Sequence, residues 1–402
     1  MLLLIASCMA LALGLSCTGP GLSFRAPQAA LPPGWSRFRL AVAPGNAVGA
    51  FGSFDPSFAQ AGFEDSIYLA YSVVNPSYRW PTEHPHVVET RIAVSNDGGA
   101  SFVGLPERAT IAFDVPDSDA DEARGIFGSA LPFTWQHEVP SLVYVAEASA
   151  AERWQLFWHQ YPLIDGKRRF EFGWIARKAA ASPAQLGAAR ATKLFGGGAY
   201  AGGLANEVDG APRVALNELH GDLVGCVAFT EPGAFVREGR QYLALHCADG
   251  QSPANGKIVL LEQEQTQAGD SGWRYRGTLL DNLRDAQLLG GDGDFTGFGA
   301  PDLFHIESTG RTYLVVTPTR PRSFPAYRGC MVFRVLDLET ARLERDGATP
   351  RLAAISNGDP VRHNGACAYL DSPNAGAAAL IQGQVYPQSV ERFRLFRTET
   401  RL

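Results

Sequence analysis

The stretch "SFDPSFAQAGFEDSIYLAYS", Ser53 to Ser72, decides the fold. An acid and a proline stand together at Asp55-Pro56. A short apolar run follows, then a turn-like "GFEDS" and a strand-like "IYLAYS". Strand, tight turn and strand make a β-hairpin signal. The pattern returns along the chain. Pro140 opens "PSLVYVAEASAAERWQLFWHQ", Glu231-Pro232 opens "EPGAFVREGRQYLALHC", and Pro301 opens "PDLFHIESTGRTYLVVT". A fifth copy, "GACAYLDSPNAGAAALIQGQ" from Gly365, lacks the proline.

Each hairpin is followed by a third strand-like segment: "TRIAVS", "FEFGWIARK", "GKIVLLEQ", "GCMVFRVLDL" and "RFRLFRTET". The prolines lie about 70 to 90 residues apart, room for three or four strands with generous loops. Five units of one supersecondary type over the chain imply a closed radial array. The expected fold is all-β, a five-bladed β-propeller over 46–402. Residues 18–45 form a linker, in which "SRFRLAV" could supply an outer strand to the last blade. Proline lacks an N–H and is tolerated at a strand's first residue, so each proline is read as a blade start. Asp55 then faces the axis.

The chain has 402 residues, 46% of them hydrophobic and 19% charged, which describes a globular protein. A net charge of −6 offers no attraction for nucleic acid. Residues 1–17, "MLLLIASCMALALGLSC", read as an export signal. "LGLSC" resembles a bacterial lipoprotein site with Cys17 as the lipidated residue, and "IASC" at Cys8 resembles one too. Plain secretion and a retained anchor are the alternatives. Membrane contact is expected only through such an anchor, and the protein is expected to be a monomer. Export permits disulfides among Cys226, Cys247, Cys330 and Cys367. Three connectivities are open, as are free thiols, although Cys226 and Cys247 flank the turn "REGR" almost symmetrically. No CxxC and no His–Cys cluster occurs, so no zinc site is read, and no cofactor is expected.

At this point the sequence resembles the five-bladed propeller glycosidases of the arabinanase and β-xylosidase type. The likeness lies in "DPSF…YLAYS", "RIAVSNDGGASF" and "EPGAFVREGRQYLALHC". It implies an exported hydrolase acting on glycosidic bonds of a poly- or oligosaccharide by carboxylate acid/base catalysis. It implies Asp55 as general base and Glu231 as general acid, the acid having a raised pKa. A third acid on the second blade would tune the acid. There Ser141 stands where the family places an Asp, and Glu138 is the nearest carboxylate. The third blade reads Glu-Pro-Gly, where the family more often has Glu-Gly-Pro. These departures leave a second reading open, a catalytically degenerate propeller that binds glycan or protein.

"SNDGGASF" resembles the Asp-box of sialidases and related propellers, with Asp97 as a structural turn former. A sialidase-like enzyme is the third reading, although that family shows six blades and a three-arginine clamp that no spacing here selects. "GDGDFTGFGAPDLF", from Gly291, resembles the calcium loops of integrin-type propeller repeats, with Asp292, Asp294, Thr296 and Asp302 as oxygen ligands, but Phe298 breaks the alternation and the stretch is read as a glycine-rich turn before a strand. Loops after each second strand return to the face of Asp55. They place Trp80, His84, Tyr161, Arg320 and Tyr327 around the mouth as substrate-binding candidates, aromatic faces there suiting sugar rings. Asp302 and His363 join them near the fourth and fifth blade starts.

Overall fold

The structure is a computed structural model that describes residues 35–41, 51–62, 66–75, 87–106, 133–164, 167–170, 173–196, 214–249, 256–265, 271–290, 295–320, 327–356, 363–371, 379–385, 394–400 and 402. The Cys17 region and the insert before Val214 lie outside this set.

Five antiparallel sheets follow one another along the chain. Blade 1 holds Phe51–Gln60, Ile67–Asn75, Val87–Ser95 and Phe102–Gly104, from axis to rim. Blade 2 holds Phe133–Tyr144, Trp154–Ile164, Trp174–Ala180 and Thr192–Gly196. Blade 3 holds Cys226–Arg237, Arg240–Asp249, Lys257–Gln265 and Ser271–Asp281. Blade 4 holds Gly297–Ile306, Arg311–Thr319 and Cys330–Asp337, with Arg342–Leu343 and Leu352–Ser356 sharing its outer edge. Blade 5 holds His363–Leu370, Ala379–Val385 and Arg394–Glu399. Its fourth strand is Trp35–Arg37, which pairs antiparallel with Arg394–Glu399. The next residues, Leu40–Ala41, pair in parallel with Phe102–Gly104 of blade 1. One short segment thus touches the last blade and the first.

The apolar cores lie between the blades. Separate clusters join blades 1 and 2 around Trp135 and Trp158, and 2 and 3 around Phe157 and Leu243. Others join 3 and 4 around Leu260 and Phe298, 4 and 5 around Val315 and Leu380, and 5 and 1 around Ile381 and Leu69. Five such interfaces close a ring. A blade buried on both faces needs strands that are apolar without alternation. The run Leu314-Val315-Val316 is 0% exposed at every position.

Each inner strand breaks its register at one point. The shifts fall between Phe54 and Ser57, Glu138 and Ser141, Thr230 and Gly233, Gly299 and Asp302, and Gly365 and Ala368. Within them Asp55, Val139, Glu231, Ala300 and Ala366 take φ of 50°, 53°, 57°, 44° and 50°. These are five copies of one β-bulge, which bends the strand and leaves a residue unpaired. Four of the five are followed by Pro56, Pro140, Pro232 and Pro301; the fifth has Cys367. The expectation that proline begins each strand is therefore corrected. The strands begin several residues upstream, and proline is tolerated because a bulge residue owes no ladder hydrogen bond.

Two disulfides fix the pairing left open by the sequence. Cys226–Cys247 links neighbouring strands of blade 3, with Cα atoms 5.4 Å apart. Cys330–Cys367 ties the third strand of blade 4 to the inner strand of blade 5, with Cα atoms 6.1 Å apart.

Candidate active site

The bulge explains how an acid is shown to the axis. Its residue leaves the ladder, and its unpaired N–H needs a partner. Side chains of the preceding blade supply several. Val139 N–H donates to Ser72 Oγ at 2.9 Å, and Ala366 N–H donates to Thr317 Oγ1 at 2.7 Å. Ala300 N–H donates to Glu231 Oε2 at 2.6 Å. The blades are stitched together at the level of the site.

Asp55 lies on the blade 1 bulge and is 8% exposed. It accepts a hydrogen bond from Ser72 Oγ at 2.8 Å. Burial, then the negative charges of Glu138 and Glu231, push its carboxyl well above the ordinary value, and the Ser72 hydrogen bond opposes them only in part. Glu231 occupies the same bulge position on blade 3. Burial pushes it upward too, but its partners outweigh burial. His246 stands with Nδ1 3.4 Å from Oε2, and the Ala300 amide donates to it. The net effect holds Glu231 below its ordinary value. This corrects the expectation of a raised pKa at Glu231. Beside burial, the neighbouring carboxylates Glu138 and Glu231 raise Asp55.

On blade 2 the position equivalent to Asp55 is Val139. Glu138 is one residue earlier, 8% exposed, and accepts from the Tyr161 hydroxyl at 2.7 Å. Its charge is felt at Asp55. Tyr161 is 0% exposed, its ring packed against His159 and Phe170 with centroids 4.8 and 4.6 Å away. It offers no face to a sugar and is a positioning group for Glu138, a correction to its expected stacking role. Ser141 holds blade 2 to blade 3: its Oγ accepts from Ala234 N–H at 2.8 Å, as Ser57 Oγ accepts from Leu142 N–H at 3.0 Å.

Asp302 falls at the Ser57 and Ser141 position on blade 4. It lines an axial cavity of about 20 Å³ together with Asp55, Val139, Ala366 and the bulge prolines. That volume suits roughly one water molecule. Burial raises the Asp302 carboxyl to about 7, against a hydrogen bond from Leu303 N–H. Tyr327 is 38% exposed and stands within electrostatic reach of Glu231, Arg168, Glu138 and Asp55. Arg320 follows the second strand of blade 4 and is half-buried. His363 begins the inner strand of blade 5, with its side chain outside the described set, as are Trp80 and His84 altogether.

Asp97 is remote from this cluster. Its strand, Val87–Ser95, ends where Ile67 pairs Ser95, whereas Asp55 lies toward the opposite end of the sheet. Its carboxylate accepts from Ser95 Oγ at 2.7 Å, Ser101 N–H at 2.9 Å and Ser101 Oγ at 2.6 Å. Those hydrogen bonds, the Ser101 and Ser95 hydroxyls foremost, lower its pKa to about 2.

Three site residues escaped the sequence reading: His159, His246 and Arg168. The two histidines carry a signal. Their strands align with Ser72 and Thr317 at the partner position of each bulge. Burial lowers the pKa of His159 to about 3, so its ring is neutral at ordinary pH, and Gly173 keeps clear the space against its Nε2. Arg168 carries no comparable signal, since it stands on an irregular two-residue strand.

The fold is a five-bladed β-propeller, and its architecture is similar to that of solved glycoside hydrolases. A thermostable family-43 glycoside hydrolase superposes with a TM-score of 0.50 at 13% identity, over 89% of this chain and 93% of that one. An α-L-arabinofuranosidase from Lactobacillus brevis superposes with a TM-score of 0.51 at 13% identity, over 88% and 91%. No protein-family model and no curated protein matches the chain.

Proposed function

We propose that the protein is an exported hydrolase that cleaves glycosidic bonds of a poly- or oligosaccharide with a carboxyl pair, Asp55 and Glu231. The observation that carries this reading is their opposed electrostatics at one end of the axis. Asp55 is pushed toward its protonated form and Glu231 toward its ionised form. Paired titratable groups driven apart in this way are the signature of an acid and a base. Asp55 gives its proton to the leaving-group oxygen as the glycosidic bond breaks. Glu231 takes a proton from the water that attacks the anomeric carbon. These roles exchange the ones implied by the resemblance. Glu138, held by Tyr161, keeps the proton on Asp55 by charge repulsion.

The two disulfides support export, because such bonds persist in oxidising compartments. Lipidation at Cys17 is tested by labelling with a fatty acid: Cys17→Ala should lose the label, and a label that stays would rule the site out.

A second reading, a non-catalytic glycan-binding propeller, is favoured by Val139, which places an apolar side chain at the blade 2 bulge. A glycan panel scored separately for binding and turnover tests the first reading against it. Turnover by the wild type, with binding retained and turnover lost in Asp55→Asn, supports hydrolysis. Binding without turnover on any glycan leaves only the second reading.

A further inference from the structure

A cleft of about 410 Å³ lies away from the axis, at the rim between blades 3 and 4. The outer strand of blade 3, Ser271–Asp281, supplies Leu279, and the helix Asn282–Leu288 that follows supplies Arg284. The edge of blade 4 supplies Ala341, Arg342 and Leu343, and the short hairpin of Arg345–Asp346 with Thr349–Pro350 supplies Arg345. Leu279, Ala341 and Leu343 belong to the core between the two blades and form an apolar floor. Three guanidiniums stand on the wall, and among the described residues no carboxylate does.

One acid lies behind the wall. Asp285 is 0% exposed and accepts from two of the three arginines. Arg284 Nε and Arg345 Nη1 share its Oδ1 at 3.0 Å each, so they lie within twice that distance of each other. Their Nη2 atoms stand 3.2 and 3.1 Å from Oδ2. Burial pushes this carboxyl up, but the hydrogen bonds from Arg345 and Arg284 outweigh burial and hold it below its ordinary value. A buried carboxylate thus fixes two guanidiniums side by side and neutralises one of them. Arg342 is exposed and, among the described residues, makes no hydrogen bond or ion pair. Asp337 is within its electrostatic reach but outside the wall, accepting from Glu339 N–H at 2.9 Å and Thr340 Oγ1 at 2.6 Å. Asp281, also outside, caps the helix by accepting from Arg284 N–H at 3.1 Å. The wall therefore keeps two positive charges beyond those its buried acid offsets.

We propose that this cleft binds a sugar-sized phosphate monoester, with the phosphate on Arg284, Arg342 and Arg345 and the sugar ring on the floor of Leu279, Ala341 and Leu343. A phosphate monoester carries about −1.5 to −2 charge at pH 7 and so matches the two positive charges, whereas a sulfate ester brings one. A bare phosphate would fill only part of the space and leave the apolar floor uncovered. Guanidinium forks match phosphate oxygens with parallel hydrogen bonds, and a pair already held in place by Asp285 loses little freedom on binding. The cleft is separate from the carboxyl pair, and the inference does not depend on the protein being a hydrolase.

The test is calorimetry on the full chain in a phosphate-free buffer. The probes are glucose 1-phosphate, glucose 6-phosphate and ribose 5-phosphate, beside glucose 6-sulfate, inorganic phosphate and glucose. At least one sugar phosphate should bind about 5-fold or more tightly than glucose 6-sulfate and inorganic phosphate, with affinity falling as salt rises. Arg342→Gln should weaken that sugar phosphate about 10-fold or more, the range of charge-assisted hydrogen bonds, and Arg342→Lys should recover part of the loss. Because Arg342 holds no partner, both variants should melt like the wild type. Asp55→Asn, on the axis, should leave the affinity within about twofold. The inference is overturned if no sugar phosphate binds, if glucose 6-sulfate or inorganic phosphate binds as tightly, or if Arg342→Gln leaves the affinity unchanged. Binding lost in Asp55→Asn and kept in Arg342→Gln would move the ligand to the axis and overturn it as well.

Discussion

At the scale of single residues, the site depends on a backbone conformation that most side chains avoid. A β-branched residue at positive φ is costly, about 1–3 kcal/mol at such positions, and Val139 has φ 53°. The fold imposes the bulge on every blade and places Asp55 and Glu231 on two of the five. Asp55 shows the resulting tension in its titration. Its folded pKa lies above the ordinary 3.8, so its contribution to stability is greatest below that value and is lost as pH rises through the folded pKa. Asp55→Asn removes the ionisation, and denaturant melts from pH 4 to 9 should show a flatter profile whose advantage over the wild type grows with pH. A steeper decline in the variant would contradict the burial of charge at Asp55. Asp97 behaves in the opposite sense. Its pKa is depressed to about 2, so its stabilisation is present above about 3.8 and vanishes as pH falls toward 2. The turn is exposed, and Asp97→Ala should cost only about 0.5–1 kcal/mol at pH 7. Glycan binding should be untouched. Lost binding with a normal melt would move Asp97 into the functional site.

At the scale of strands and hairpins, much was legible in the sequence. The repeated hairpins gave the number of blades: Pro56, Pro140, Pro232 and Pro301 mark four of them at one structural position, and the copy from Gly365 supplies the fifth without a proline. The bulge itself was not legible. Nothing in Asp55-Pro56 or Ala300-Pro301 distinguishes a strand's first residue from an unpaired one in its middle, since proline suits both. The same gap hid the equivalence of Val139 with Asp55 and made Ser141 look like the missing acid. His246 acts on Glu231 through pairing between neighbouring strands, which needs register and not composition. Gly233 offers a test at this scale. A Cβ there would strike the Pro301 carbonyl of blade 4, and backbone at a bulge cannot retreat cheaply. Gly233→Ala should destabilise by about 1–3 kcal/mol, the usual cost of overpacking, visible as a lower Tm. An unchanged Tm would show that blades 3 and 4 are not in close contact there.

At the scale of the whole molecule, stability depends on ring closure. Trp35–Arg37 completes blade 5 while Leu40–Ala41 lies on blade 1, and the blade 5 and blade 1 core includes Phe38 and Leu40. Removing residues 1–41 should therefore lower the Tm more than any single substitution named here. A truncated chain that melts like the full one would contradict closure by this segment. The disulfide Cys330–Cys367 spans another blade boundary. In the loop-entropy view its loss should cost about 3–4 kcal/mol, read as a fall in Tm for Cys330→Ala with Cys367→Ala. Closure also brings Asp55 of blade 1 and Glu231 of blade 3 to one end of the axis, an arrangement that no single blade contains.

The most direct measurement is turnover as a function of leaving-group pKa, for the wild type, Asp55→Asn and Glu231→Gln on one series of glycosides. Each variant should lose about 10²–10⁴-fold on a poor leaving group, the usual worth of one proton-transfer group. Asp55→Asn should recover as the leaving group becomes more acidic, because departure then needs no proton, while Glu231→Gln should stay slow for want of a base. Recovery in Glu231→Gln alone would restore the opposite roles. Turnover undiminished in both variants, or none by the wild type on any glycoside, would contradict a carboxyl pair working across the axis.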